Sequence, residues 1–131
     1  MLRQISVRSY MTTRLVSFTP DMSVYEAIRK MLEHKITSAV VMDDHGKLVG
    51  SFSESDCLRV AYHAGYHEDP GGKVRDYMAT DIPVIDPETS ILDVTEMFMR
   101  EPYRSYPVMD DGVLVGVISR VDVLRALIAM A

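Results

Sequence analysis

The sequence is poor in cysteine, in long hydrophobic runs and in positive charge. A single cysteine, Cys57, cannot form a disulfide within the chain, so we expect the reducing environment of the cytoplasm. No apolar run approaches the length that spans a bilayer, and the N-terminal segment lacks the apolar stretch of a secretory signal. A net charge of −5 argues against nucleic-acid and membrane partners, both of which favour an excess of Lys and Arg. A local basic pocket for one phosphate group is still compatible with that charge.

What the sequence does contain is an internal repeat. Val7, Arg8, Tyr10 and Met11 recur 67 residues later as Val74, Arg75, Tyr77 and Met78. After the turn that follows Asp44 and Asp111 the offset becomes 66, and it holds through Asp56 and Asp122. Matches spread over the whole unit indicate duplication rather than a shared short motif. The 131 residues, 47% of them hydrophobic, can bury a core as one compact domain or as two small packed halves.

Each copy begins with the pattern of a strand followed by a helix. A short extended piece, Leu15–Phe18 or Pro83–Ile85, leads into a turn that contains proline. Ser23 and Ser90 then stand where a side-chain oxygen can accept a free N–H of the first helical turn. Apolar residues follow at helical spacing, so we predict a helix after each serine, the first ending near His34.

The second half of each copy has the pattern of a hairpin followed by a helix. Two apolar strands flank a polar turn, and the adjacent Asp111 and Gly112 are a strong hairpin signal in the second copy. A further helix is predicted to begin at Ser53 and at Ser119. The unit is therefore β-α-β-β-α, twice. We divide the chain into a first repeat at 1–64, with a lead-in segment, a linker at 65–73, and a second repeat at 74–131.

These units resemble the CBS domain, a family named after cystathionine β-synthase whose members nearly always occur in pairs. The matching elements are Ser9–Thr12, Thr19–Val24 and Gly46–Gly50 with Ser53 and Asp56 in the first copy, and Asp76–Ala79, Asp86–Ile91 and Gly112–Gly116 with Ser119 and Asp122 in the second. The resemblance runs from about Val7 to the C-terminus, so we expect a free-standing pair. It implies an α+β fold of tandem repeats, packed through their sheets as a pseudo-two-fold pair.

The resemblance also implies a function. CBS pairs often bind AMP, ATP or S-adenosylmethionine in two clefts, and many form dimers through their helices. We therefore expect an adenosine-containing ligand (AMP, ADP, ATP or S-adenosylmethionine), no required cofactor, and a homodimer. The pattern of the last helix independently predicts a partner. Its apolar residues occupy more than one face, whereas a helix of a small monomer usually keeps a polar side, so we expect another surface to cover the rest.

The second repeat carries the nucleotide signature of the family. Its elements are Gly116, Ser119 and Asp122 at the family's spacing. Glycine lets a ligand approach the backbone, and a serine at a helix N-terminus offers a hydroxyl, free N–H groups and the helix dipole to a phosphate. Asp122 can accept hydrogen bonds from two adjacent ribose hydroxyls, and Arg120 adds a cation.

The resemblance supplies the rest of this site. It implies that adenine lies between apolar residues, here Ile82, Pro83, Tyr106 and Pro107. Arg104 stands where basic residues of relatives reach a phosphate. A second interpretation stays open, because a serine followed three residues later by an aspartate is also an ordinary capping box with no ligand role.

The first repeat matches the signature less well. Its candidate residues are Thr37, Ala39, Gly50, Ser53 and Asp56. Thr37 replaces Arg104, and Glu54 stands where the second repeat has Arg120 and would repel a phosphate. We expect the two clefts to differ, with the first better suited to an uncharged adenosyl group.

Other reactive residues have plainer explanations. His63 and His67, followed by Glu68 and Asp69, have a spacing that can bind a metal on a helix, but they lead into the linker, and we predict no metal site. Cys57 has no evident base and is predicted to pack in the interior. We predict no catalytic residues.

Two classes of function are consistent with the sequence. The first is a regulatory sensor whose adenosyl ligand shifts the arrangement of the chain, which an unidentified regulated protein detects. The alternative is a structural or docking module that binds no ligand and uses its apolar C-terminal helix to contact another protein. Removing Asp122 should distinguish them.

Overall fold

Capping serines start the first helix of each repeat, as the sequence predicts. The structure, a computed structural model, describes residues 1–67 and 71–131, so part of the linker expected at 65–73 lies outside the described residues. The helices are α1 (Val24–His34), α2 (Glu54–Ala64), α3 (Ile91–Arg100) and α4 (Arg120–Met130). The Ser23 hydroxyl accepts the Tyr25 N–H at 3.2 Å, and the Ser90 hydroxyl accepts the Asp93 N–H at 3.0 Å.

The hairpins also form where the turn signals predict them. The strands are β1 (Ser17–Phe18), β2 (Ser38–Met42), β3 (Leu48–Ser53), β4 (Ser105–Asp110) and β5 (Val113–Ser119). β2 pairs antiparallel with β3, and β4 pairs antiparallel with β5. Asp111 and Gly112 join the second pair with φ of 51° and 80°. Two positive φ angles are what a two-residue type I′ hairpin turn requires.

The extended piece that opens each repeat is shorter than predicted. β1 covers only Ser17–Phe18 of the expected Leu15–Phe18, and it pairs parallel with β2. The strand expected at Pro83–Ile85 is reduced to a single bridge between Ile85 and Val108. Pro107 stands where β2 has Val40, the partner of Ser17, and a proline has no N–H to give to a sheet, which limits this pairing in the second copy.

The chain divides into two compact units that differ from the sequence repeats. The first-repeat unit is Val16–Ile82, and the second-repeat unit combines Met1–Leu15 with Pro83–Ala131. The segment that opens each repeat therefore packs in the unit of the other repeat. We call residues 7–12 and 74–79 the lead-in segments. The division at 1–64 and 74–131 describes the duplication in the sequence, whereas the packing exchanges these segments.

Equivalent hydrogen bonds hold the lead-in segment in each unit. In the second-repeat unit the Val7 N–H donates to the Thr89 carbonyl at 2.8 Å, and the Thr12 N–H donates to the Val117 carbonyl at 2.8 Å. In the first-repeat unit the corresponding bonds run from Val74 to Met22 and from Ala79 to Ser51, both at 2.9 Å. Val7 and Val74 are fully buried, so each lead-in segment contributes to the core of its unit.

Each unit has its own hydrophobic core. The buried residues of the first-repeat unit include Phe18, Val24, Ala27, Met31, Val41, Phe52, Val60 and Val74. Those of the second-repeat unit include Val7, Ile85, Ile91, Val94, Phe98, Tyr106, Val108, Ile118 and Ala126. Across residues 1–67 and 71–131, no helix has the length and apolar character needed to cross a bilayer.

Candidate functional site

The junction between β5 and α4 brings Ser119 and Asp122 together. β5 ends at Ser119, which caps α4. The Asp122 carboxylate Oδ2 accepts the Ser119 N–H at 2.9 Å and the Ser119 hydroxyl at 3.0 Å, while the Ser119 Oγ accepts the Asp122 N–H at 3.3 Å. The capping box considered from sequence is therefore present. A cap of this kind also fixes the carboxylate at the helix N-terminus, where the helix dipole favours an anion.

Asp122 is the most deeply buried charged residue of this junction. Its side chain is 1% exposed, and its Oδ1 forms an ion pair with the Arg125 guanidinium, one helical turn further along. Burial of an unpaired carboxylate is costly, and the ion pair with Arg125 offsets part of that cost. Arg125 is not among the site residues predicted from the sequence. Its spacing of three residues from Asp122 was the available signal, since residues at that spacing are neighbours on a helix.

Two arginines lie beside the same helix N-terminus. The Arg120 N–H donates to the Arg104 carbonyl at 3.1 Å, which joins the first residue of α4 to the residue before β4. Both residues are exposed. The Arg120 guanidinium also makes a long hydrogen bond of 3.5 Å to the Phe98 carbonyl. This corner therefore brings the backbones of two arginine residues to the positive end of the helix dipole, and arginine at a helix N-terminus favours a phosphate.

The apolar candidates have different environments. Tyr106 is fully buried, its ring stacks on Phe98 at 4.7 Å between centroids, and its hydroxyl donates to Glu101 at 2.9 Å. Burial and that hydrogen bond raise the pKa of the Tyr106 hydroxyl. Its side chain belongs to the core, so only its backbone can meet a ligand in this arrangement.

The remaining apolar candidates are divided between the two units. Pro107 is buried, and its carbonyl accepts the Ile85 N–H at 2.9 Å. Pro83 is half-buried, and Ile82, the residue before it, is the last residue of the first-repeat unit. The structure thus keeps Pro83 and Pro107 in the second-repeat unit with Ser119 and Asp122.

The glycine of each junction lies against the lead-in segment. A Cβ at Gly116 would lie 2.7 Å from the Met11 Sδ and 2.9 Å from the Thr12 carbonyl oxygen. At Gly50 the equivalent Cβ would lie 2.5 Å from the Ala79 carbonyl oxygen. The chain's own lead-in segment therefore already requires glycine at both positions, and a ligand contact there stays a prediction.

The first-repeat unit builds the same junction with different charges. The Asp56 carboxylate accepts the Ser53 N–H at 2.8 Å, and Arg59 pairs with it at 3.0 Å. The Glu54 N–H donates to the Thr37 carbonyl at 2.8 Å, which is the equivalent of the bond between Arg120 and Arg104. Glu54 and Thr37 thus occupy the positions that Arg120 and Arg104 have in the second repeat.

The backbone candidates of this first junction lie in its strands. Ala39 is buried in β2 and pairs with Phe52 of β3. Gly50 lies three residues before the capping Ser53 and pairs with Val41. The predicted set Thr37, Ala39, Gly50, Ser53 and Asp56 is therefore gathered in one unit.

Cys57 and His63 each contact a neighbouring side chain. Burial, with a contribution from Asp56, raises the pKa of the Cys57 thiol to about 11, and its sulfur lies 3.7 Å from the Met31 Sδ. A thiol with this pKa is a poor nucleophile at neutral pH. The His63 Nδ1 is 2.9 Å from the Tyr77 hydroxyl. Glu68 and Asp69 lie outside the described residues, and within the described ranges no group of three metal-ligating side chains occurs.

Two copies of one strand–helix junction, each in its own α+β unit, define a tandem-repeat module. The sequence matches the CBS domain over residues 7–63 and 74–129, and the chain therefore belongs to the CBS domain family. Its fold is similar to that of CBSX2 from Arabidopsis thaliana, solved in complex with AMP, with 29% identity and a TM-score of 0.85 over 96% of this chain and 98% of that one.

Relatives of this chain differ in length. An uncharacterized 17.7 kDa protein of Acidianus ambivalens is 29% identical over 89% of this chain and 70% of its own length. In four other curated relatives the matched region makes up between 14% and 44% of the relative's own length. A structure of an uncharacterized conserved protein from Pyrococcus horikoshii is similar over 97% of this chain and 95% of that one, with 28% identity and a TM-score of 0.84.

Proposed function

We propose that this chain is a regulatory module that binds an adenosine nucleotide at the β5–α4 junction. The observation that carries the proposal is the combination of Ser119 and Asp122 with Arg104 and Arg120 at one helix N-terminus. The complex of CBSX2 with AMP supports the choice of ligand, since that protein is 29% identical over nearly the whole chain.

Each part of a nucleotide has a chemically suitable partner at this junction. Ribose hydroxyls are donors, and the Asp122 carboxylate is an acceptor with a fixed orientation. A phosphate is matched by the N-terminus of α4 and by the guanidinium groups of Arg104 and Arg120. Adenine would pack against the side chain of Pro83 and lie beside the backbone of Tyr106 and Pro107, all in the same unit.

The two junctions would not bind the same ligand. In the first repeat, Glu54 and Thr37 occupy the positions of Arg120 and Arg104, so an anionic phosphate would meet a carboxylate instead of two cations. The Asp56 carboxylate still offers the acceptor that a ribose needs. We propose that AMP, ADP or ATP binds in the second repeat and that the first accepts at most an uncharged adenosyl group.

The proposed role is regulation rather than catalysis. A ligand that binds one arrangement of the two repeats better than another would shift their equilibrium, and an unidentified protein, in the cytoplasm by our expectation, would respond to that shift. As a sensor of AMP or ATP the module would report the energy state of its surroundings. No cofactor is needed for such a role.

Asp122→Ala tests the ligand site, and Asp56→Ala is the matched control. Both substitutions remove a capping box and an ion pair with the arginine three residues later, so each should cost about 1–2 kcal/mol of unfolding free energy. Only Asp122→Ala should abolish the thermal stabilisation by AMP, which is about 2.7 kcal/mol at 100 times the dissociation constant.

Two outcomes of the same thermal-shift measurement would contradict the proposal. AMP binding that survives in Asp122→Ala would make this aspartate only a helix cap. Flat wild-type curves with AMP, ADP, ATP and S-adenosylmethionine would favour the docking module.

The docking alternative has one observation in its favour. Val121, Leu124 and Ile128 of α4 are 58%, 58% and 72% exposed, and Leu58 and Tyr62 of α2 are each 66% exposed. We propose a second copy of this chain as the occupant, because an isologous interface needs the same apolar surface on both partners. Light scattering at micromolar concentration should give the mass of a dimer, and the mass of a monomer would reject this interface.

A further inference from the structure

The Asp122 carboxylate is engaged on both of its oxygens. Oδ2 accepts two hydrogen bonds from Ser119, at 2.9 and 3.0 Å, and Oδ1 accepts one from Arg125. A carboxylate offers about four lone-pair directions. Two adjacent ribose hydroxyls need two of them, so the second hydroxyl requires the direction that Arg125 occupies.

We infer that Arg125 competes with the ribose hydroxyls for Asp122 and thereby sets the affinity and sugar specificity of the site. This inference rests on the proposed function. Arg125 keeps the buried carboxylate paired when the sugar is not bound, and it moves aside when the hydroxyls take its place. The side chain of Arg125 is 61% exposed, so its guanidinium can turn into water at little cost, and the ribose hydroxyls then donate to the carboxylate in its place.

The first repeat shows how such an arginine can be held more firmly. Arg59 pairs with Asp56 at 3.0 Å, but it also donates to the Tyr77 carbonyl at 2.5 Å and lies 6.0 Å from the centre of the Tyr77 ring. Among the described residues, the hydrogen bonds of the Arg125 guanidinium include no comparable second anchor. Arg125 is therefore the easier of the two to displace, which agrees with a ligand site in the second repeat.

Arg125→Met tests the competition, because methionine keeps much of the apolar stem and removes the guanidinium. We expect titration calorimetry of the 131-residue chain to show AMP affinity raised by about threefold to tenfold, since the competitor for Oδ1 is gone. Affinity for 2′,3′-dideoxyadenosine monophosphate should stay within twofold of wild type, because that ligand does not need Oδ1. The AMP affinity of Arg125→Lys should lie between that of wild type and that of Arg125→Met.

Two controls separate this role from structural damage and from failure of the proposed function. Arg59→Met removes the same pair in the first repeat and should leave AMP affinity unchanged. AMP affinity that falls or stays constant in folded Arg125→Met, or an equal change for the dideoxy ligand, would overturn the role of Arg125 alone. A wild-type chain that binds no AMP would overturn the proposed function and this inference together. If Arg125→Met does not fold, Arg125→Lys decides, and an AMP affinity not above that of wild type would overturn the role.

Discussion

Single residues in this chain combine a structural and a chemical role. Asp122 caps α4 through Ser119, and the same carboxylate is the acceptor proposed for the ribose. Its repeat partner Asp56 makes the same contacts beside Glu54, where a phosphate is disfavoured. The capping box is therefore common to both repeats, and the charges next to it distinguish them. This is why spacing alone predicts the cap but cannot predict the ligand.

The glycines before each cap give a prediction at this scale. Gly50→Ala should lower the unfolding free energy by about 2 kcal/mol, because its Cβ would stand 2.5 Å from the Ala79 carbonyl oxygen and the backbone must shift. Gly65→Ala is the control, since its backbone is helical and its Cβ would lie 3.4 Å from the nearest atom. Urea denaturation measures both. Equal stabilities of the two variants would contradict the tight approach of the lead-in segment.

Tyr106 shows where residue-level prediction fails. An alternating strand would place Tyr106 and Pro107 on opposite faces, one of them towards solvent or ligand. In β4 the residues Tyr106, Pro107 and Val108 are all buried, so the pattern carries no alternation to interpret. A run of this kind indicates a strand covered on both faces, and only the packing shows that the tyrosine ring stacks on Phe98.

At the scale of elements, local signals predicted most of the structure and missed the exchange of the lead-in segments. Caps and hairpin turns are decided by residues a few positions apart, and they form where the sequence indicates. The lead-in segments match at four of their six positions: Val7, Arg8, Tyr10 and Met11 correspond to Val74, Arg75, Tyr77 and Met78. These four side chains would be the same in either unit, so the repeat pattern is the same whether the segments are exchanged or not.

The exchange predicts which elements a core mutation weakens. Val7 belongs to the first repeat in sequence but is fully buried in the core of the second-repeat unit. Val7→Ala should cost about 2 kcal/mol and should reduce hydrogen-exchange protection in α3, β4 and β5 more than in α1, β2 and β3. Val74→Ala is the matched control and should give the opposite distribution. Loss of protection confined to α1, β2 and β3 in Val7→Ala would contradict the exchanged packing.

At the scale of the whole molecule, duplication supplies two junctions, and their charges have diverged. Arg104 and Arg120 in one unit correspond to Thr37 and Glu54 in the other, through equivalent backbone hydrogen bonds of 3.1 and 2.8 Å. A chain with one cationic junction should bind one phosphate-bearing nucleotide, although it has two repeats. If the proposed function holds, the stoichiometry of AMP binding is a property of the pair that neither repeat shows alone.

Exchanging these charges tests that reasoning. The double variant Arg104→Thr and Arg120→Glu gives the second repeat the residues of the first, and it should weaken AMP binding by about tenfold or more because a carboxylate replaces a cation near the phosphate. Adenosine, which has no phosphate, should bind with unchanged affinity. The reciprocal variant, Thr37→Arg with Glu54→Arg, should raise the AMP stoichiometry in calorimetry from one towards two per chain.

Equal losses of affinity for AMP and adenosine in the double variant Arg104→Thr and Arg120→Glu would mean that the arginines support the fold of the junction. A loss of affinity limited to AMP, which becomes smaller as added salt screens the charges, would mean that the two arginines select for the phosphate.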